Sequence, residues 1–263
     1  MLGLDPDPER LWPDAHGRDP AERVASHCRA LIDAAGQACV AVKPQLACFE
    51  RLGSAGWVAL EEVVEHARGA GLLVLADGKR GDIDVSAAAY AQAFLTGGLR
   101  ADALTVNPYL GRDALEPFVA AAAEAGAGLF VLVRTSNPGA SDVEDLELRD
   151  GGRVWERVAT IVADLGGTDG DLSDVGAVVG ATRPEHLRRA RALMPRSPFL
   201  LPGIGAQGGR VEDLAPAFAP GRAGGLVTAS RSIARAHETA PTEPAEAARA
   251  EAERLRETAW ALA

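Results

Sequence analysis

Eight short apolar runs, each followed by a stretch with helical periodicity, constrain the fold of this 263-residue chain more than any other feature. The runs are apolar at consecutive positions, which is typical of parallel strands covered on both faces by helices. Helices are indicated where apolar residues recur at steps of three and four. We predict strands at Leu2–Leu4, Cys39–Val42, Leu72–Ala76, Ala103–Val106, Gly128–Val133, Val175–Val179, Phe199–Leu201 and Leu226–Thr228. We predict helices at 20–35, 56–69, 84–96, 112–125, 151–165, 184–193, 208–219 and 243–262.

Eight strand–helix units in about 250 residues are typical of a (β/α)8 barrel, the TIM barrel. We therefore predict an α/β protein with one domain over residues 1–263, and an open doubly wound sheet is the alternative. Two polar, acidic stretches interrupt the pattern, Gly139–Gly152 after the fifth strand and Gly166–Asp174 before the sixth. The first is either a lid over a site or a solvated surface loop.

Charge and cysteine content exclude several classes of partner. The net charge of −10 repels polyanions, so we expect neither nucleic acid nor an anionic membrane as a partner. No apolar run approaches the ~20 residues of a membrane helix, and the first residues lack the pattern of an export signal. The odd number of cysteines, Cys28, Cys39 and Cys48, indicates reduced thiols. We expect a cytoplasmic protein without disulfides.

Lysine is rare in this chain. Of 27 basic residues, 25 are arginine and only Lys43 and Lys79 are lysine. Each follows a predicted strand, and the active site of a (β/α)8 barrel lies at the carboxyl ends of its strands. An ammonium is a compact charge that can release a proton, whereas a guanidinium keeps its proton under nearly all conditions. We interpret both lysines as functional residues, with a chance bias toward arginine as the alternative.

The third predicted strand is followed by Asp-Gly-Lys-Arg-Gly-Asp at 77–82. Side chains two apart in an extended chain share a face, so Asp77 and Lys79 should both point into the barrel mouth. Gly81 permits a bend that redirects Asp82, and Lys43 at the neighbouring strand end should join the cluster. Carboxylates raise the pKa of a nearby ammonium, so the array suits a proton donor beside a forming carbanion better than a Schiff-base lysine. A charged surface turn is the alternative.

A phosphate site is indicated after the seventh and eighth strands. The glycines at 202–209 let backbone N–H groups approach an anion, while Ser230 and Arg231 begin a short helix. Arg231 offers a fork that matches a phosphate. After strand five, residues 134–139 either bind a heterocycle or form a polar turn. Asp5 either binds a sugar hydroxyl or caps a helical turn.

Together these residues resemble the orotidine 5′-phosphate decarboxylase family, in particular its group with the motif Asp-x-Lys-Arg-Gly-Asp-Ile. The resemblance spans nearly the whole chain, and several blocks in order are more specific than any single one. The blocks are Leu-Gly-Leu-Asp-Pro at 2–6, Val-Lys-Pro-Gln at 42–45, Leu-Ala-Asp-Gly-Lys-Arg-Gly-Asp-Ile at 75–83, Asn-Pro-Tyr-Leu-Gly at 107–111, Thr-Ser-Asn-Pro-Gly at 135–139, Val-Val-Gly-Ala-Thr at 178–182 and Pro-Gly-Ile-Gly-Ala-Gln-Gly-Gly at 202–209.

The resemblance implies decarboxylation of orotidine 5′-monophosphate (OMP) to uridine 5′-monophosphate (UMP) in pyrimidine synthesis, by a homodimer that uses no cofactor and no metal. It implies that Lys79 protonates carbon 6 of the pyrimidine within a charge network of Lys43, Asp77 and Lys79. Asp82 would complete this network across the dimer interface. The implied substrate contacts are Ser136 and Gln207 to the base, Gln207, Ser230 and Arg231 to the phosphate, Asp5 and Lys43 to the ribose, and Ser86 to the ribose in the neighbouring subunit.

Two alternatives from other classes stay open. One is a magnesium-dependent sugar-phosphate decarboxylase or synthase of the same superfamily, which has a related Asp-x-Lys-x-x-Asp motif and needs an acidic metal ligand near the position of Lys43. The other is a catalytically silent nucleotide-binding barrel, although binding a phosphate alone requires none of the charge network. A specialised nucleoside monophosphate as the substrate is also compatible with these residues.

Overall fold

The structure is a computed structural model that describes residues 1–167, 170–181, 183–204, 208–240 and 242–262. The chain forms two compact units. Unit 1 comprises residues 1–78 and 229–257, and unit 2 comprises residues 79–228 and 258–263. Within each unit the strands run parallel to their neighbours, as the continuous apolar runs predict.

All eight predicted strands are present in the described residues, and four of them begin and end as predicted. The largest difference is at the third strand, which continues beyond Ala76 to Arg80 and therefore includes Asp77 and Lys79. The strands are β1 Leu2–Leu4, β2 Ala41–Pro44, β3 Leu73–Arg80, β4 Ala103–Val106, β5 Gly128–Arg134, β6 Val175–Val179, β7 Phe199–Leu201 and β8 Gly225–Val227.

The helices follow the predicted periodicity, with one short addition at α2, and α8 is the short helix predicted to begin at Ser230 and Arg231. They are α1 Pro20–Ala35, α2 Leu46–Glu50, α3 Gly53–Gly69, α4 Asp84–Ala91, α5 Arg112–Ala125, α6 Val154–Leu165, α7 Pro184–Leu193, α8 Arg231–Ala234 and α9 Pro244–Trp260. A π-helical turn continues α4 over Gln92–Thr96, and 3-10 turns lie at Gly36–Ala38, Pro138–Asp142, Val211–Phe218, Arg222–Gly224 and Ala236–Glu238.

Local chemistry explains where several helices begin. The Asp19 side chain accepts hydrogen bonds from the N–H groups of Ala21 and Glu22 and so caps α1. The predicted helix at 151–165 begins only at Val154, because Gly151 and Gly152 have φ values of 93° and 77°, outside the helical region. The predicted helix at 208–219 is a 3-10 segment with Pro216 inside it, a residue that cannot donate to an α-helical ladder.

Unit 1 contains β1, β2 and most of β3. Leu2 pairs with Val42, and Val42 pairs with Val74, so the three strands lie in register. Gly3 N–H donates to the carbonyl of Ala229 at 2.8 Å, which holds the segment before α8 against β1. The core of this unit includes Leu2, Leu4, Val42, Phe49, Leu60 and Val74, all fully buried.

Unit 2 contains β4 to β8, paired in that order. Ala103 of β4 pairs with Gly128 of β5, and the ladder continues through β6 and β7 to β8. The register between β5 and β6 shifts between Leu132 and Arg134, an irregularity of the kind that redirects side chains at a strand end. The carboxyl ends of these parallel strands therefore carry the loops after β5 and β7 on the same edge of the sheet.

The long stretch after β5 is folded. Its backbone closes on itself through hydrogen bonds from Leu148 N to the Gly152 carbonyl at 2.9 Å and from Val154 N to the Leu146 carbonyl at 3.0 Å. In the stretch before β6, Arg196 donates to the Gly167 and Gly170 carbonyls at 2.8 and 2.7 Å. Whether 139–152 acts as a lid or as a solvated surface loop stays open.

Within the described ranges, none of the helices combines the length and the apolar character needed to cross a membrane.

Candidate active site

The ends of β2 and β3 bring two predicted site residues together in unit 1. Lys43 Nζ lies 2.5 Å from Asp77 Oδ2, and the two residues are only 6% and 5% exposed. The sheet places them there because β2 and β3 are in register, with Gln45 paired to Asp77 at the strand ends. A buried ammonium and carboxylate at contact distance form a strongly directional local field.

The neighbours of this ion pair keep Lys43 charged. Burial is the largest influence on its pKa and acts to lower it, but attraction to Asp77 and then to Asp5, with the Asp77 hydrogen bond, outweighs burial and raises the pKa. Asp5 Oδ1 lies 3.9 Å from Lys43 Nζ. Gln45 Nε2 donates to Asp77 Oδ2 at 3.2 Å. The sequence did not single out Gln45, although its position two residues after Lys43 is a usable signal.

Lys79 does not follow the alternation that the sequence predicts. Its φ is +48°, in the left-handed region, so the chain is no longer extended there and the rule that side chains two apart share a face does not apply. Asp77 is buried, whereas Lys79 is exposed. The Lys79 N–H donates to Oγ1 of the fully buried Thr105 at 2.9 Å, which fixes this unusual backbone conformation from β4. A non-glycine residue held in this region indicates a conformation imposed by function or packing.

Asp82 and Ser86 lie beyond the end of β3 in unit 2. Asp82 is half-buried, and its Oδ1 accepts a hydrogen bond from Ile83 N at 2.8 Å. Ser86 is exposed on the first turn of α4. The exposed apolar side chains of Ile83 and Val85 flank these two polar residues. Their predicted roles across a dimer interface stay predictions.

Asp5, Ser230 and Arg231 line one small cavity in unit 1, of about 20 Å³. Arg10, Arg235 and Asp7 line the same cavity, and of its three arginines the sequence singled out only Arg231. A cavity of this volume holds about one water molecule rather than a phosphate, and phosphate binding by Ser230 and Arg231 stays a prediction. Gln207, predicted to bridge the base and the phosphate, lies outside the described residues.

Ser136 lies directly after β5 in unit 2 and is half-buried. The backbone of β6 approaches it closely, since a Cβ at Gly180 would lie 3.0 Å from the Ser136 Cβ. Gly180 N donates to the Arg134 carbonyl at 2.7 Å, which sets this distance. The sequence did not single out Arg134 as more than a member of the polar turn, but it is buried.

Across the described part of the chain, no three His, Cys, Asp or Glu side chains are grouped in a way that could hold a metal ion. The site residues described above offer ammonium, guanidinium, carboxylate and amide groups. An ammonium can donate a proton, a buried carboxylate can repel a second one, and guanidinium groups can bind phosphate.

Comparison with known proteins supports the resemblance seen in the motifs. The model of the family described as orotidine 5′-phosphate decarboxylase / HUMPS matches residues 1–250. An orotidine 5′-phosphate decarboxylase from Deinococcus radiodurans is 50% identical over 236 residues, which are 88% of this chain and 82% of that protein.

Solved structures show the same fold. The OMP decarboxylase of Leishmania donovani is 34% identical, with a TM-score of 0.79 over 98% of this chain and 93% of that chain. A Streptomyces avermitilis protein, assigned provisionally to the same activity, is 39% identical with a TM-score of 0.85 over 99% of this chain and 90% of that chain.

Proposed function

Because the chain belongs to the orotidine 5′-phosphate decarboxylase / HUMPS family, it is a carboxy-lyase that converts OMP to UMP in pyrimidine biosynthesis, and we propose that Lys79 delivers the proton to carbon 6. The observation that carries the activity is the family match over residues 1–250, joined to relatives at about half identity that are named for this reaction. We further propose that the eight strands close one (β/α)8 barrel over residues 1–263, and that it works in the cytoplasm without a cofactor.

The chemistry assigns a task to each charged residue. Loss of carbon dioxide from a ring without an electron sink leaves a localised carbanion at carbon 6, which an ammonium can stabilise and then protonate. In the proposal Lys79 performs both steps. Asp77 lies near the departing carboxylate and disfavours the charged ground state. The Lys43 ammonium holds the buried Asp77 carboxylate in place, and the raised pKa of Lys43 keeps this ammonium protonated.

Substrate binding is proposed at the remaining predicted residues. Ser230 and Arg231 bind the phosphate, since they lie together at the start of α8 and the Arg231 guanidinium offers a fork that matches a phosphate. Asp5 and Lys43 bind the ribose, and the 3.9 Å between their charged atoms lets both reach one diol. Ser136 and Gln207 contact the base. Binding energy from the remote phosphate then helps to organise the site around the reacting carbon.

A homodimer is part of the proposal, with Asp82 and Ser86 serving the active site of the neighbouring subunit. Its support is the exposure of the apolar side chains next to them in the chain, Ile83 at 51% and Val85 at 83%. Large apolar side chains at this exposure are typical of a surface that another chain covers. A second copy that covered this surface would also bring Asp82 into its interface.

The dimer is tested with a charge placed on that surface. Val85→Glu should give a monomer by analytical ultracentrifugation and lose activity, because the interface would then bury an unpaired carboxylate. Val58→Glu, on an apolar residue of α3 that is 56% exposed, is the control and should stay dimeric. A wild-type protein that sediments as a monomer at assay concentrations contradicts the dimer.

The activity itself is tested by following the absorbance of OMP in the presence of excess chelator. We expect turnover that is unaffected by the chelator. Turnover abolished by the chelator would favour a magnesium-dependent relative of the same superfamily. Binding of UMP without any decarboxylation would favour a silent nucleotide-binding protein.

A further inference from the structure

Arg134, the last residue of β5, is a buried cation that none of the roles above uses. It is 8% exposed and belongs to unit 2, as do all its partners described below. Its guanidinium holds Asp145 with two hydrogen bonds, from Nε to Oδ1 at 3.2 Å and from Nη2 to Oδ2 at 2.8 Å. This bidentate geometry is the strongest that an arginine and a carboxylate can form.

Glu144 is the second carboxylate of the cluster and links the guanidinium to the backbone after β5. Arg134 Nη1 donates to Glu144 Oε2 at 3.0 Å. The same carboxylate accepts hydrogen bonds from Thr135 N at 2.9 Å and from Thr135 Oγ1 at 2.7 Å. Nη1 also donates to the Thr135 carbonyl at 2.7 Å. Glu144 therefore binds both the side chain at the strand end and the residue that follows it.

These contacts close the chain between Arg134 and Asp145 into a ring, which we call the β5 arc (residues 134–145). Inside it, a 3-10 turn spans Pro138–Asp142, and Glu144 N donates to the Ala140 carbonyl at 2.8 Å. From outside, Trp155 N at the start of α6 donates to the Glu144 carbonyl at 3.0 Å. The ring is thus tied to the body of the unit at both ends.

Ser136 lies inside the β5 arc, one residue after Thr135. The arc places it against Gly180, the residue after β6, where an added Cβ would lie 3.0 Å from the Ser136 Cβ. The register of β5 against β6 shifts between Leu132 and Arg134, and such an irregularity redirects side chains at a strand end. The Arg134 side chain points from this strand end to the carboxylates of Glu144 and Asp145. The charged cluster holds the N–H and the carbonyl of Thr135, and so fixes the backbone immediately before Ser136 with groups of the chain itself.

We propose that Arg134, held by Glu144 and Asp145, is a positioning residue that fixes Ser136 for contact with the pyrimidine base before the substrate binds. The inference rests on the proposed function. A loop ordered in advance spares the ligand the entropic cost of ordering it, so the effect of the cluster is on recognition of the base. A lysine cannot replace Arg134, because a single ammonium cannot make the bidentate bond and reach Glu144 together.

The test compares two ligands that share ribose and phosphate but differ in the base. The affinities of UMP and ribose 5-phosphate are measured by calorimetry for the wild type, Arg134→Lys and Asp145→Asn. We expect Kd for UMP to rise about tenfold in each variant, the loss of roughly one hydrogen bond to the base. Kd for ribose 5-phosphate should change by less than about twofold. The control is Arg112→Lys, whose arginine pairs with Asp164 at 3.1 Å on the exposed surface, and neither affinity should change.

The binding measurements distinguish a failure of the positioning role from a failure of the proposed function. Equal weakening of both ligands overturns the positioning role, since it indicates a general loss of structure. Unchanged UMP affinity in the two variants overturns it as well. If Arg134→Lys does not fold, Asp145→Asn alone decides, because it keeps the shape of the side chain. A wild-type protein that neither binds UMP nor decarboxylates OMP overturns the proposed function, and the assignment of Arg134 with it.

Discussion

The buried pair of Lys43 and Asp77 makes a prediction whose size follows from its burial. Replacing Lys43 with methionine keeps most of the side-chain volume but removes the ammonium that lies 2.5 Å from a carboxylate only 5% exposed. Removing one partner of a buried ion pair costs about 3–5 kcal/mol, because the remaining charge cannot regain its hydration. We expect Lys43→Met to lower the free energy of unfolding by about that amount.

A surface pair provides the matched control. Arg29 Nη1 lies 2.8 Å from Glu62 Oε2, but both side chains are exposed. An exposed pair contributes about 0–1 kcal/mol, so Arg29→Met should be nearly neutral despite the similar distance. A comparison of Lys43→Met with Arg29→Met therefore isolates burial as the cause of the loss of stability.

The assay is urea unfolding followed by circular dichroism, with the slope of the transition checked for each variant. The double variant Lys43→Met/Asp77→Leu should recover most of the lost stability, because apolar groups of similar volume replace a buried pair at little cost. Both Lys43→Met and the double variant should lack decarboxylase activity. The double variant would thus be nearly as stable as the wild type but inactive.

Two results would refute the reasoning. A Lys43→Met variant within about 1 kcal/mol of the wild type would show that water reaches the pair. A double variant as unstable as the single one would show that the loss of stability comes from packing.

The contribution of Lys43 to stability depends on pH with a definite sign, because its pKa is raised in the folded state. This contribution is fully present below the ordinary lysine pKa of 10.5 and is lost as the pH rises through the folded-state pKa.

Two further predictions concern unit 1. Burial lowers the pKa of His27 to about 4, and its Nδ1 accepts a hydrogen bond from a backbone N–H, so stability should fall by about 3 kcal/mol as the pH drops from 6.5 to 4. His27→Gln should flatten this dependence in urea titrations, whereas exposed His16→Gln should leave it unchanged. Gly3→Ala would place a Cβ 2.7 Å from the Ser230 Cβ, so we expect a loss of about 1–3 kcal/mol and weaker UMP binding by calorimetry. Gly69→Ala, with open space around it, should cause neither effect, and an equal loss there would contradict the steric explanation.

Most of the fold is predictable from the sequence because the strands are buried on both faces. A run such as Val175–Val179 is apolar at every position, and it begins and ends in the structure as predicted. The prediction fails where polar residues continue a strand. In β3, Asp77 pairs with Gln45, and the Lys79 N–H donates to the Thr105 side chain. The residue composition of this segment does not indicate such partners.

The candidate site is predictable to a smaller extent. The approach of Lys43 to Asp77 follows from two strand ends at one edge of a parallel sheet. The left-handed backbone at Lys79 does not follow from its residue type, because lysine rarely adopts it and the Thr105 hydroxyl that holds it is distant in sequence. The Arg134 cluster was missed for a related reason. Its carboxylates meet the guanidinium only after the loop has folded back, which no local pattern indicates.

The most direct test of the proposed mechanism is the rate of OMP decarboxylation by Lys79→Ala, measured together with its affinity for UMP and its unfolding by urea. Since the exposed Lys79 side chain contributes little to the core, we expect near-normal folding and UMP binding, with turnover reduced by orders of magnitude. Near-normal turnover in Lys79→Ala would contradict protonation of carbon 6 by this lysine.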